Sequence, residues 1–201
     1  MTAVDHVADA AHPPAHGKGM APGIVGVALF IVSEVMFFSG LFGAYFTLRA
    51  KSEVWPPEGP EPPGIPYALL LTALLVTSSI TVQVAASAAK RGNITLVRRF
   101  LVVTVILGLA FLAGQIYEYV QLVDEGFILS TNTFTATFFT ITGFHGAHVA
   151  GGLIALIVVT TLAMRPTPPA NSPIAVEAVS LYWHFVDVVW LFVLTILYVV
   201  Q

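Results

Sequence analysis

Five long apolar blocks follow one another along the chain, separated by short stretches rich in Pro, Gly and charge. The blocks predict five helices, at about Gly23 to Leu48, Tyr67 to Ala89, Arg98 to Leu122, Thr133 to Met164 and Ile174 to Val200. A run of about 20 apolar residues is long enough to cross a bilayer. The fourth block is long enough to tilt or to emerge from it. The connections carry turn chemistry. The stretch from Trp55 to Gly64 is dominated by proline, which removes donors and clashes with a preceding helical turn, so it predicts a stiff loop. Lys90-Arg91-Gly92-Asn93, Asp124-Glu125-Gly126 and Arg165-Pro166-Thr167-Pro168-Pro169 end the second, third and fourth blocks. The expected fold class is all-α: a polytopic bundle of five transmembrane helices, residues 21–201, behind a mobile polar tail at residues 1–20.

Composition agrees with a membrane. Hydrophobic residues make up 57% and charged residues 9% of the chain. Soluble domains carry about 25% charged residues. The formal charge of −3 argues against nucleic acid as a partner. With no cysteine, disulfides, thiolate metal sites and cysteine nucleophiles are excluded. The first 20 residues lack the basic start and apolar core of a cleavable signal, so the first helix is expected to serve for targeting. Orientation follows from Lys and Arg. Placing the Lys90–Arg99 loop inside puts Lys18, Lys90, Arg91, Arg98, Arg99 and Arg165 inside and only Arg49 and Lys51 outside, six against two. The N-terminus is then inside and the C-terminus outside.

Ionisable residues interrupt the apolar blocks. Glu34 lies near the middle of the first, where a charge costs on the order of 3 kcal/mol. His145 and His148 share the fourth block at a three-residue spacing, as do His184 and Asp187 in the fifth, so each pair is expected on one helix face. Glu177 and Ser180 extend the latter stripe, and Gln115 and Glu118 form a pair nearer the outer end of the third. Three readings compete for this polar set. It could bind a transition metal; it could conduct protons or ions; or its carboxylates and imidazoles could satisfy one another and set how the helices pack. The paired Glu-x-x-His motifs of di-iron bundles are missing, which favours the structural reading, with no metal and no catalytic residue. Small residues recur every four positions at Ala73, Thr77, Thr81, Ala85 and Ala89, and at Gly143, Ala147, Gly151 and Ala155, which predicts close helix contacts.

Four strings are specific enough to carry a resemblance: Phe30-Ile31-Val32-Ser33-Glu34-Val35-Met36-Phe37-Phe38, Gln115-Ile116-Tyr117-Glu118-Tyr119, Gly143-Phe144-His145-Gly146-Ala147-His148-Val149, and Tyr182-Trp183-His184-Phe185-Val186-Asp187-Val188-Val189-Trp190-Leu191-Phe192. In these the chain resembles subunit III of the haem-copper terminal oxidases of the cytochrome c oxidase type, in order and from about Met20 to the end. The resemblance implies an accessory, non-catalytic part of a proton-pumping complex that reduces O2 to water. It implies haem and copper in partner subunits and none in this chain, subunit I as main contact with subunit II nearby, and membrane lipids, including bound phospholipid, around it. It also implies support of proton uptake and protection of subunit I. Many members have seven spans, whose first two wall a lipid-holding cleft. With five spans that cleft would be open on one side or completed by another subunit. The five-span form points to the bacterial cytoplasmic membrane. Two alternatives stay open: an accessory protein of nitric oxide reductase, and a stand-alone transporter or membrane metalloenzyme. His6, His12 and His16 would lie on the inner side, where imidazoles can collect protons near neutral pH. A solvated leader with no such role is the simpler reading.

Overall fold

The computed structural model describes residues 21–61, 63–169 and 172–200. Five helices follow in order: α1 (Pro22–Lys51), α2 (Ile65–Lys90), α3 (Ile94–Asp124), α4 (Thr133–Ala163) and α5 (Ser172–Leu194), the last closed by a π-helical turn over Thr195–Val199. All five spans are long and apolar enough to cross a membrane. No strand occurs among the described residues.

The boundaries have local causes. Proline stands in the first turn of α1 and α2, where its missing N–H would have had no helical partner. Helix α3 starts four residues before the apolar block, at Ile94 rather than Arg98, because Asn93 caps it: its Oδ1 accepts from the Leu96 N–H at 3.2 Å. Asn132 and Thr135 form a reciprocal capping box on α4, at 2.9 and 3.0 Å. Gly92 and Gly126 stop α2 and α3 at φ of 71° and 81°, a region that costs a side chain dearly. Arg98 binds the carbonyls of Ala163 and Arg165 at 2.8 and 2.9 Å, capping the end of α4 and placing the basic loops together at one end of the bundle.

Helices α2, α3, α4 and α5 form a ring of mutual neighbours, and α1 lies outside it against α5 and α4. Half of the most apolar stretch of the fifth span is buried inside the bundle, against 6% of that of α1. The fifth span is thus the centre and α1 the periphery. The far end is tied by aromatics. Trp55, from the proline-rich loop, meets Tyr45 and Phe134 edge to face, with centroids 5.4 and 5.7 Å apart. Its Nε1 donates to Tyr45 Oη at 3.1 Å, and that hydroxyl donates to the Ile196 carbonyl at 3.3 Å.

The four-residue stripes only partly become contact faces. Thr81, Ala85 and Ala89 are buried, but Ala73 and Thr77 are exposed, and so are Ala147, Gly151 and Ala155. A four-residue step advances about 400° around a helix of 3.6 residues per turn, so such a stripe drifts about 40° per step and leaves any straight contact. The closest approaches fall elsewhere. Trp183 is fully buried. A Cβ on Gly108 of α3 would sit 2.9 Å from the Trp183 ring, and one on Gly152 of α4 3.0 Å from it. The indole Nε1 donates to Ser78 Oγ of α2 at 2.9 Å. One side chain of α5 therefore meets three other helices.

Gly108→Ala is expected to destabilise the bundle by about 1–3 kcal/mol, because a rigid buried ring cannot yield to the added methyl. Gly40→Ala, where an added Cβ meets nothing within 4 Å, is expected to be neutral. Denaturation midpoints of the two variants in detergent check this; equal midpoints would refute the wedge.

Candidate functional site

The polar residues of the apolar blocks do not converge on one centre. They separate into four groups, each set by which helix its side chain meets.

The first joins α1 to α4. Glu34 Oε2 lies 2.9 Å from His148 Nε2, and His148 Nδ1 lies 2.7 Å from the Phe144 carbonyl. A carbonyl oxygen only accepts, so Nδ1 carries a hydrogen and donates. One further proton then lies on the line between Nε2 and Oε2, on the imidazole or on the carboxyl. Either way the pair as a whole is uncharged, which is how an acid and a base can both stay in an apolar layer. Both side chains are about one-sixth exposed, at 16% and 17%. Phe37 stacks on the imidazole with centroids 6.0 Å apart, and Phe38 meets it edge-on at 5.0 Å.

The second group is in the ring's interior. His145 points into the core, not toward His148. It is fully buried, with its ring 5.2 Å from that of Trp190 and 6.1 Å from that of Phe111. Neither of its nitrogens has a hydrogen-bond partner among the described residues. The shared face expected for the two histidines is corrected here: residues three apart differ by about 60° around the helix, enough to reach different neighbours. Near the far end, Gln115 donates to the Thr142 carbonyl at 3.2 Å, and Tyr198 donates to Glu118 Oε2 at 3.0 Å, leaving Glu118 Oε1 without a partner.

The third group lies on the α2–α5 face. His184 Nε2 donates to Gln83 Oε1 at 3.0 Å, so the neutral ring accepts at Nδ1 from Ser79 Oγ, 2.6 Å away. One turn on, Asp187 is buried beside the Ser79 hydroxyl, with neither oxygen making a hydrogen bond of ordinary length among the described residues. The fourth is a surface pair: Glu177 meets Lys90 at 2.7 Å, with side chains 39% and 59% exposed. The expectation of a buried role for Glu177 is therefore corrected. Its position near the helix start brings it to the basic end, where such a pair is worth under about 1 kcal/mol. Among the described residues, no group of three or more His, Asp or Glu is placed to hold a metal. His6, His12 and His16 lie outside the described residues.

Sequence reasoning missed the α2 partners Ser79 and Gln83, Tyr198, and Tyr182, whose hydroxyl donates to the His148 carbonyl at 3.2 Å. Gln83 had a signal, as an amide inside an apolar block; Ser79 had none, since serine is common in membrane helices.

A family model for cytochrome c oxidase subunit III matches residues 3–201. The chain belongs to that family. It is similar to cytochrome c oxidase subunit 3 of Corynebacterium diphtheriae, 43% identical over 181 residues that cover 88% of this chain and 87% of the relative. A probable cytochrome c oxidase subunit 3 of Nocardia farcinica is 43% identical over 180 residues, covering 88% and 87%. Cytochrome c oxidase subunit 3 of Thermostichus vulcanus is 37% identical over 177 residues, covering 88% and 86%. The chain is a haem-copper oxidase subunit III, and as a multi-pass protein it needs internal pairing of the kind seen at Glu34 and His148.

A double-mutant cycle of Glu34→Ala and His148→Ala is expected to show a coupling of about 1–2 kcal/mol in detergent stability. Glu34→Gln should keep part of it, since the amide still bonds the imidazole. Strictly additive single effects would mean that the pair does not hold α1 to α4.

Proposed function

We propose that this chain is the non-catalytic subunit III of a proton-pumping terminal oxidase in the bacterial cytoplasmic membrane, seated mainly against catalytic subunit I and near subunit II. The match to the family along residues 3–201 carries this reading. The relatives' names favour it over an accessory protein of nitric oxide reductase. The donor chemistry supports placing the redox centres elsewhere. His148 and His184 have both nitrogens engaged, and His145 stands among aromatics in no group of three or more potential ligands among the described residues. Haem and copper then belong to the partner subunits.

On this reading the basic end faces the cytoplasm, which puts the N-terminus on the side from which protons are taken up. The chain's contribution is to support proton uptake and to stabilise subunit I during turnover. Bound phospholipid fits the open groove of about 520 Å³ between α1, α4 and α5, lined by Phe30, Gly151, Ala155 and Tyr182 among others.

Purification through a tag on this chain is expected to bring down a large subunit with haem absorbance and copper. An oxidase lacking the chain is expected to begin turnover normally and to lose activity sooner. A chain that purifies alone, beside an oxidase equally durable without it, would overturn the proposal. Deleting residues 1–18 tests the histidines of the tail. If they collect protons, the deletion lowers turnover most at the alkaline end of pH 6 to 8.5, where free protons are scarce. An unchanged profile assigns them no such role.

A further inference from the structure

The outward faces of the bundle differ in kind. Along α3 and α4 the exposed side chains at membrane depth are apolar, among them Ile106, Leu109, Ile154 and Val158. At the α1–α4 face the polar pair Glu34 and His148 satisfies itself. The α2–α5 face does neither. A lateral groove of about 490 Å³ runs along it, walled by apolar side chains such as Val76, Ile80, Val188 and Leu191 and carrying Ser79, Gln83, His184 and Asp187.

Two of these polar groups have hydrogen-bonding capacity that the chain does not use. Neither Asp187 oxygen makes a hydrogen bond of ordinary length among the described residues; the Ser79 hydroxyl lies near the carboxyl but makes its short bond with His184. The Gln83 oxygen serves His184, and the N–H2 group of this exposed amide has no side-chain hydrogen bond among the described residues. Position matters. Asp187 lies 15 residues into a span of 28, about 22 Å from its start at a rise of 1.5 Å per residue. Lipid headgroups stay at the surface, and acyl chains offer neither donor nor acceptor. A carboxylate on this face at mid-depth therefore calls for a protein partner.

We infer that the α2–α5 groove is the docking face for a transmembrane helix of the oxidase's large subunit, one that inserts a long hydrogen-bond donor, cationic or aromatic, toward Asp187 and presents an acceptor to Gln83. The carboxylate sits at the floor of the groove, so the donor must be long. The exposed apolar rim of Ile80 and Val188 packs around it, giving a dry border to a polar centre. The inference rests on the reading that the chain assembles with that subunit, and it names the face.

The chain has no cysteine, so single cysteines report cleanly. Val188→Cys and Ile80→Cys on the groove rim, and Ile106→Cys and Val158→Cys on the α3 and α4 faces, are each labelled with a photoactivatable maleimide on the purified chain, which is then added back to oxidase lacking it and irradiated in the assembled complex. The groove positions are expected to cross-link to the haem-bearing large subunit and the other two to lipid. Asp187→Leu gives a second readout. Removing a buried carboxylate that makes no hydrogen bond of ordinary length among the described residues should leave the free chain at least as stable in detergent, while its retention per haem falls about tenfold, the effect of losing one good contact. Large-subunit adducts through Ile106 or Val158, with none through the groove, overturn the inference and leave the assembly standing. Equal losses of stability and retention in Asp187→Leu also overturn it, because the carboxylate is then structural. Failure to co-purify at all defeats the assembly reading, and the inference falls with it.

Discussion

The indole of Trp183 is the contact on which the bundle depends. In lipid, apolar helices gain nothing from leaving the solvent, so close packing and interhelical hydrogen bonds must hold them. Trp183 supplies both at one point. Its ring fills the space left by Gly108 on α3 and Gly152 on α4, and its N–H reaches Ser78 on α2. With that ring in place, the four inner helices have one relative placement. Trp190, two turns on, repeats the device by donating to Thr72 Oγ1 at 2.9 Å while its ring lies beside His145.

Polar residues are then distributed according to what each helix meets. Where two helices bring an acid and a base together, as at Glu34 and His148, charge cancels and α1 gains a tether to a ring it otherwise barely enters. Hydroxyls of most helical threonines, and of serines such as Ser78, return to their own backbone, as Thr160 does to the Leu156 carbonyl at 2.7 Å. They need no partner and cost the membrane little. Among the described residues of the spans, side chains with capacity left over fall into two settings. His145 and Glu118 are enclosed by the ring, and Asp187 and Gln83 line an outward groove. Enclosure makes the first pair a property of the fold. The groove makes the second a property of an assembly.

Much of the architecture was legible because one constraint dominates it. A bilayer demands helices of a set length, and proline, glycine and asparagine punctuate them by local chemistry. Five blocks therefore became five helices within a few residues, with α3 extended only by the Asn93 cap. Pairing Glu34 with His148 was within reach for the same reason, since depth limits the candidates. The four-residue stripes held only in part, at Thr81, Ala85 and Ala89, because spacing along a chain says nothing about how a helix is rotated. Glu177 failed because its closeness to a charged end outweighs its register with Ser180.

The residues themselves determined the class, the number of spans, the depth of every polar group and, through four local strings, the family. Each follows from composition, periodicity or short-range order. Tertiary structure alone decided which neighbour each group meets. His145 and His148 differ by one step of three residues, yet one turns inward to Trp190 and the other outward to Glu34. His184 finds Ser79 and Gln83 more than 100 residues away, and Asp187 makes no hydrogen bond of ordinary length among the described residues. Rotation of a helix about its own axis is set by the shapes packed against it, above all by Trp183 and its two glycines. That information is shared among helices far apart in the chain and is not contained in any one of them.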